Sequence, residues 1–143
     1  GNLAGDNVEI RDMIIASGAV DPIAEITVAA PPGTSFTRNS SWTLSNFCRG
    51  RPGPKFDLIR NAIIALAKVL KENDRLEIIA DICWSFSYIT DEGKAGFKTI
   101  VDTGIVPKLV QLLEHQSLSI VVPCLRTIGN LLTGNEIETL ICR

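Results

Sequence analysis

Along residues 57–70 the apolar positions Leu58, Ile59, Ala62, Ile63, Leu66 and Leu70 recur by threes and fours, with charged and polar residues between them. That spacing lines one face of an α-helix. Leu109, Leu112 and Leu113 repeat it further on. No stretch of useful length alternates apolar and polar with the period of two that a half-buried strand needs. Glycine and proline punctuate the joints, at Gly18, Pro31, Pro32, Gly33, Gly50, Pro52, Pro54, Gly93, Gly104 and Gly134. Short helices are expected over Val8–Ala16 and Lys94–Val101. The segment 28–37, "VAAPPGTSFT", is longer than its counterparts and is expected to be mobile.

The pattern also repeats on a larger scale. "SSWTLSNFCR" (40–49), "ICWSFSYITD" (82–91) and "CLRTIGNLLTG" (124–134) align so that Trp42, Trp84 and Arg126 each stand 42 residues apart. "SGAVDPIAEI" and "TGIVPKLVQLL" match two periods apart, with "RNAIIALAKVL" (60–70) as the middle copy. "GNLAGD" (1–6) is the tail of an earlier unit. A period in the low forties falls in the armadillo and HEAT range of about 40–47 residues. Each unit reads as a short first helix, a longer apolar second helix and a third helix carrying the Trp/Asn positions. The expectation is an all-α armadillo-repeat solenoid, a right-handed superhelix of roughly three repeats. Its units are 7–50, 51–93 and 94–136, with 1–6 closing one repeat and 137–143 opening the next.

Composition narrows the chemistry. The chain has 143 residues and a formal net charge of −2, which disfavours the clustered basic face of a nucleic-acid binder. The longest uninterrupted apolar run, Ala62–Ala67, falls far short of the roughly 20 residues of a membrane span, and the N-terminus shows no signal peptide. Cys48, Cys83, Cys124 and Cys142 lie far apart with no C-x-x-C pair, so buried free thiols are expected rather than a disulfide framework or a zinc site. Asn39-Ser40-Ser41 matches a glycosylation sequon, a match that arises often by chance. His115 reads as a surface residue ending a helix. "GRPGPK" has no phosphate-loop spacing, and no nucleophile has a recognisable catalytic neighbour. The reading is of a non-enzymatic chain with no cofactor and no metal.

The order and content of "GNLAGD", "WTLSNFCRG", "ADICWSFSYITDEG" and "LRTIGNLLTGNE" resemble successive third helices of importin-α, the receptor for nuclear localisation signals. The resemblance implies a concave groove that holds extended lysine- and arginine-rich peptides of cargo proteins, a shuttling life between cytoplasm and nucleus, and no nucleic-acid or membrane partner. It also implies that importin-β is engaged only through a basic N-terminal segment, and no such run occurs here. Physically, tryptophan ladders make slots for lysine and arginine stems and add a cation–π contribution of roughly 0.5–2 kcal/mol each. Asparagine can clamp a peptide backbone whatever its sequence.

Residue by residue, Asn2, Asn46 and Asn130 match the asparagine of the family's W-x-x-x-N pair, and Trp42 and Trp84 its tryptophan. Asp6 matches the acidic residue that receives the key lysine; Asn39 and Asp81 match further main-site contacts. Glu136 and Thr139 match minor-site positions. Tyr88 stands where the third copy would carry asparagine, and Arg126 where the fourth would carry tryptophan. In the family these two substitutions mark the middle of the groove, and Asp91 lies beside them.

Plainer roles compete. Core packing is the rival for the tryptophans. A left-handed helix end is the rival for the asparagines. Helix capping competes at Asp6 and Asp91, and dipole compensation in a first turn at Asp81. Arg49 and Arg126 fit structural ion pairs as well as ligand contacts. Two other functions stay open. One is a β-catenin-type scaffold, whose acidic or phosphorylated ligands would call for more cations than Arg38, Arg49 and Arg126 set against Asp81, Asp91 and Glu136. The other is a structural spacer with both indoles buried.

Overall fold

In the computed structural model, residues 7–133 are described, and within them eight α-helices and no strand occur. They are α1 (Val8–Ala16), α2 (Val20–Ala29), α3 (Ser35–Phe47), α4 (Phe56–Glu72), α5 (Leu76–Asp91), α6 (Phe97–Asp102), α7 (Val106–Leu112) and α8 (Leu118–Leu132). The chain is an α-solenoid: α3, α5 and α8 lie side by side, α2 packs on α4, and α4 on α6.

Local chemistry sets the helix ends. Asn7 caps α1, its Oδ1 accepting from the amides of Glu9 at 2.7 Å and Ile10 at 3.1 Å. Asn7 therefore fills the capping role considered for Asp6, which lies outside the described residues. Thr34 caps α3 by accepting from the Thr37 amide at 3.2 Å. Gly18 and Gly104, two periods apart, follow α1 and α6 with φ of 85° and 74°, a left-handed conformation that side chains resist. No residue other than glycine has positive φ among those described. The left-handed helix end considered for Asn46 and Asn130 is thus excluded.

The middle unit departs from the expected three-helix plan. Residues 51–55 form bends rather than a separate first helix, and a single 17-residue α4 follows. Pro52 and Pro54 explain this, since neither can donate a helical hydrogen bond. The expected first helix of the third unit is also displaced, from Lys94–Val101 to Phe97–Asp102.

The segment 28–37 is not the long free loop anticipated. Helices enter it from both ends, leaving 30–34, and the remainder is tied down. The Gly33 amide donates to Asn73 Oδ1 at 2.6 Å, and Arg75 Nη1 donates to the Gly33 carbonyl at 2.8 Å. Thr34 and Thr37 hydroxyls both donate to the Pro31 carbonyl.

The core is continuous from Ile15 to Leu131. Its densest part is α4 and α5, where Ala62, Ile63, Leu66, Leu70, Ile82, Cys83 and Phe86 are fully enclosed. Cys48, Cys83 and Cys124 are free and buried, as the sequence suggests, while Cys142 lies outside the described residues. Burial pushes the Cys48 thiol up to about 12, a rise only partly offset by the Arg11 charge, so it stays protonated at neutral pH. Sγ of Cys124 lies 3.3 Å from Sγ of Cys83 across the α5–α8 contact.

A feature invisible in the apolar pattern is Arg11, whose side chain is wholly enclosed. Its Nη1 donates to the Arg49 carbonyl at 2.6 Å and its Nη2 to the Pro52 carbonyl at 2.9 Å, while Asp12 Oδ1 accepts from Nε and Nη2. Arg11 thereby ties α1 to the turn at Gly50, where φ is 95° and an added Cβ would meet Val8 at 2.7 Å.

Ile82→Ala should cost about 2–5 kcal/mol, the usual range for emptying a packed aliphatic site. Urea unfolding followed by far-ultraviolet circular dichroism measures this; a loss below about 1 kcal/mol would mean that α5 is not packed as described.

Candidate functional site

Among the described residues, the three third helices bring all of the sequence-predicted residues except Asn130 into three hollows that run into one another. The first, about 400 Å³, is lined by Arg38, Asn39 and Trp42 from α3 and by Glu77 and Asp81 from α5. The second, about 200 Å³, lies between the two indoles and is lined by Trp42, Ser45, Asn46, Arg49, Asp81, Trp84, Ser85 and Tyr88. The third, about 370 Å³, adds Asp91 and Arg126 to Arg49, Gly50, Arg51, Tyr88 and Glu92. Trp42 and Asp81 are shared by the first two, Arg49 and Tyr88 by the last two.

Helical geometry explains the placement. In α3, Asn39, Trp42 and Asn46 are spaced by three and four; in α5, Asp81, Trp84 and Tyr88 are spaced alike. The intervening Leu44, Phe47, Ile82, Cys83 and Phe86 point into the core. Both tryptophans are half-buried, and both line the second hollow. This is not the burial expected of spacer residues. Trp84 stacks on Tyr88 with centroids 5.9 Å apart and planes 27° from parallel.

Asparagine behaves less uniformly than the motif suggests. Asn39 is exposed on the rim, whereas Asn46 is only 1 % exposed, with Arg49 Nη1 3.4 Å from its Oδ1. Asn130 turns to α5: its Nδ2 donates to Asp91 Oδ1 at 2.7 Å and to the Thr90 hydroxyl at 3.0 Å.

The acidic residues also divide. Asp91 is the last residue of α5, at the end where a carboxylate opposes the helix dipole, so it caps no N-terminus. Its carboxylate is held instead by Arg126, with Nη2 2.7 Å from Oδ2 and Nε 3.1 Å from Oδ1, and by Asn130. This forked, charge-assisted pair bridges α5 and α8 and raises the already basic guanidinium further.

Asp81 is the sixth residue of α5, beyond the first turn, so dipole compensation does not account for it. No hydrogen bond or ion pair reaches its carboxylate among the described residues; Arg38 and Arg49 act on it only through space. Burial raises its pKa, the two arginines lower it, and Glu77 raises it again, leaving a net rise. Asp81 is thus a half-buried acceptor sharing a hollow with two indoles.

Four predicted positions, Asn2, Asp6, Glu136 and Thr139, lie outside the described residues. Conversely, Glu77, Ser45, Ser85, Arg51 and Glu92 line the hollows without having been singled out. Ser45 and Ser85 donate back to the Trp42 carbonyl at 2.7 Å and the Asp81 carbonyl at 2.8 Å, inside their own helices. Among the described residues no cluster of His, Cys, Asp or Glu could hold a metal ion, and no helix is long and apolar enough to cross a membrane.

Residues 95–133 match the armadillo/β-catenin-like repeat family. The chain is 40 % identical to importin subunit alpha-1b of Oryza sativa subsp. japonica over 97 % of its own length and 26 % of that protein's. It is also 40 % identical to importin subunit alpha-3 of Arabidopsis thaliana, over 90 % of the chain and 24 % of the relative. The chain thus spans about a quarter of the length of these relatives. Among solved structures it is similar to a designed armadillo repeat protein in complex with peptide (KR)4, with a TM-score of 0.81, 19 % identity, and coverage of 99 % of the chain and 58 % of the design.

Because the Asp81 carboxyl titrates higher in the folded chain than in the unfolded one, its ionisation costs stability. The stability carried by its protonated form is fully present below the ordinary carboxylate range, around pH 4, and is lost as pH rises through the raised folded value. Asp81→Asn should therefore gain stability relative to wild type as pH increases from about 4 to 7. Urea midpoints of both proteins across that interval test it; a constant difference would show that Asp81 is not desolvated.

Proposed function

We propose that this chain, an armadillo-repeat relative of the importin α subunits, binds extended lysine- and arginine-rich peptides along the face of α3, α5 and α8. In the whole protein this surface would receive nuclear localisation signals of cargo and carry them between cytoplasm and nucleus. The division into units 7–50, 51–93 and 94–136 is part of the same proposal.

The observation that carries it is the hollow that Asp81 shares with Trp42 and Trp84: a carboxylate without an ion-pair partner among the described residues, beside two half-buried indoles. A lysine or arginine stem laid between the indoles buries its methylenes against them and brings its charge to the carboxylate. An extended peptide repeats alternate side chains every 6–7 Å or so, and packed helices recur at about 8–10 Å, so one strand can address successive helices with modest stagger. Asn39 on the rim offers a donor and an acceptor to the peptide backbone.

The Asp91–Arg126–Asn130 cluster plays a different part. Its carboxylate is already neutralised, so this end of the groove offers little to a cationic side chain. We place strong basic contacts at the Trp42–Trp84 end, and a weakly selective passage beside Tyr88 and Arg126. Asn2, Asp6, Glu136 and Thr139 complete the proposed set of peptide contacts. Engagement of importin-β through a basic segment elsewhere in the whole protein completes the proposal.

Trp42→Ala should weaken binding of a fluorescent lysine-rich peptide by about 1–3 kcal/mol, since it removes both stem packing and cation–π attraction. Asp81→Lys should weaken it and flatten its salt dependence, because charges in an open groove are screened over about 8–10 Å at physiological ionic strength. Anisotropy titrations, with helicity confirmed by circular dichroism, read both. Unchanged affinity in Trp42→Ala, or tighter binding of a matched acidic peptide, would refute the assignment.

A further inference from the structure

A second cavity, larger than any of the groove hollows at about 650 Å³, opens between α4 and α6 and shares no residue with them. Its floor is apolar, formed by Phe56, Ile64 and Ala67 of α4 together with Ala95 before α6. Around it stand Arg60, Lys68, Lys71 and Lys98, against a single acid, Asp102. In a chain with 14 basic and 16 acidic residues, four cations to one carboxylate is a local reversal of the overall charge.

The cations are weakly committed. Arg60 meets Asp57 at 3.4 Å, Lys68 meets Glu72 at 3.9 Å and Lys98 meets Asp102 at 3.0 Å, every partner being more than 40 % exposed. Such exposed pairs contribute little and exchange readily for a better acceptor. Lys71 has no carboxylate partner among the described residues; its Nζ donates to the Thr103 carbonyl just beyond α6. Ile64, on the cavity side of α4, is half-exposed and uncovered by any neighbouring helix among the described residues.

We propose that this cleft is a docking site for an acidic amphipathic segment of a partner protein, with large apolar side chains on the floor and glutamate or aspartate carboxylates paired with Lys68, Lys71 and Lys98. A cleft of this size suits one or two bulky side chains spaced along a helix, the anchoring mode of a helix laid in a groove. The chemistry fits nucleic acid poorly. A single aromatic ring, Phe56, lines the cleft, with the Arg60 guanidinium over one face 5.3 Å from its centroid, so there is no series of rings for successive bases to stack on. It fits a membrane poorly as well, since an interfacial helix presents a protruding apolar face rather than a recessed one. This site is independent of the peptide groove and stands whether or not that reading holds.

The test is an anisotropy titration of the full chain with a short fluorescein-labelled peptide carrying a leucine and a phenylalanine three residues apart among glutamates. Saturable binding is expected, weakened at least tenfold by Lys68→Glu/Lys98→Glu and by replacing the peptide's two apolar residues with alanine. Lys71→Glu, assayed separately, should weaken it also and keeps the test usable if the double variant loses helicity. An unlabelled lysine-rich peptide should not displace the probe. Lack of saturation, indifference to the charge reversals or to the alanines, displacement by the lysine-rich peptide, or equal competition by duplex DNA or phosphatidylserine vesicles would each overturn the proposal. If the acidic probe binds while the lysine-rich peptide does not, only the groove assignment fails.

Discussion

The burial of α5 between two neighbours is the constraint on which the rest of the structure rests. α5 packs on α3 along one side and on α8 along the other, while α4 closes its back. Ile78, Ile79, Ile82, Cys83, Phe86 and Ile89 all lie inside, and no single unit could cover them. A helix hydrophobic over that much of its surface is stable only where adjacent copies supply the missing walls. The stacking in turn sets the distance between Trp42 on α3 and Trp84 on α5, so the groove is a consequence of how the core is assembled.

Between units, polar ties fix what apolar packing leaves adjustable. Arg11 holds the Arg49–Pro52 turn from below, Asn73 and Arg75 hold the Gly33 turn, Asn61 reaches Asp21 at 2.9 Å, and Arg126 with Asn130 clasps Asp91. Each joins positions roughly one period apart, and all but the Asn61–Asp21 contact satisfy backbone or carboxylate groups at or just beyond a helix end. Asp81 is the exception within this scheme. Left without a direct partner and raised by burial, it stores an electrostatic cost that an incoming cation would relieve. Desolvation without a direct partner is what distinguishes Asp81 from a tie such as Asp91.

Much of this was legible in the chain because repetition amplifies weak signals. A lone Trp42 would read as core; Trp84 at the same phase points to a shared surface, and both are half-buried and line the same hollow. Periodicity also located α4, whose buried face includes Ile59, Ala62, Ile63, Leu66 and Leu70 as expected, although Leu58 points outward. What escaped were properties that depend on partners distant in sequence. Arg11 shares its buried face with Ile15 four residues on, yet its charge disguised it, and nothing local reveals that two carbonyls some forty residues away await it. Asn130 matched a motif but is claimed by Asp91, and the turn at 30–34 looked free because its anchors, Asn73 and Arg75, belong to the next unit. Pro52 and Pro54 were visible as breaks, but not as the loss of a helix.

Whether the two indoles meet a basic peptide decides the role of this face. The chain has only two tryptophans, so its indole N–H signals in a ¹⁵N-labelled sample can be assigned with Trp42→Phe alone. Adding a lysine-rich peptide should shift both signals progressively and saturably, while a matched acidic peptide leaves them in place. Indole signals that stay unmoved by the lysine-rich peptide, or that respond equally to both, would contradict the assignment of this face as a basic-peptide groove.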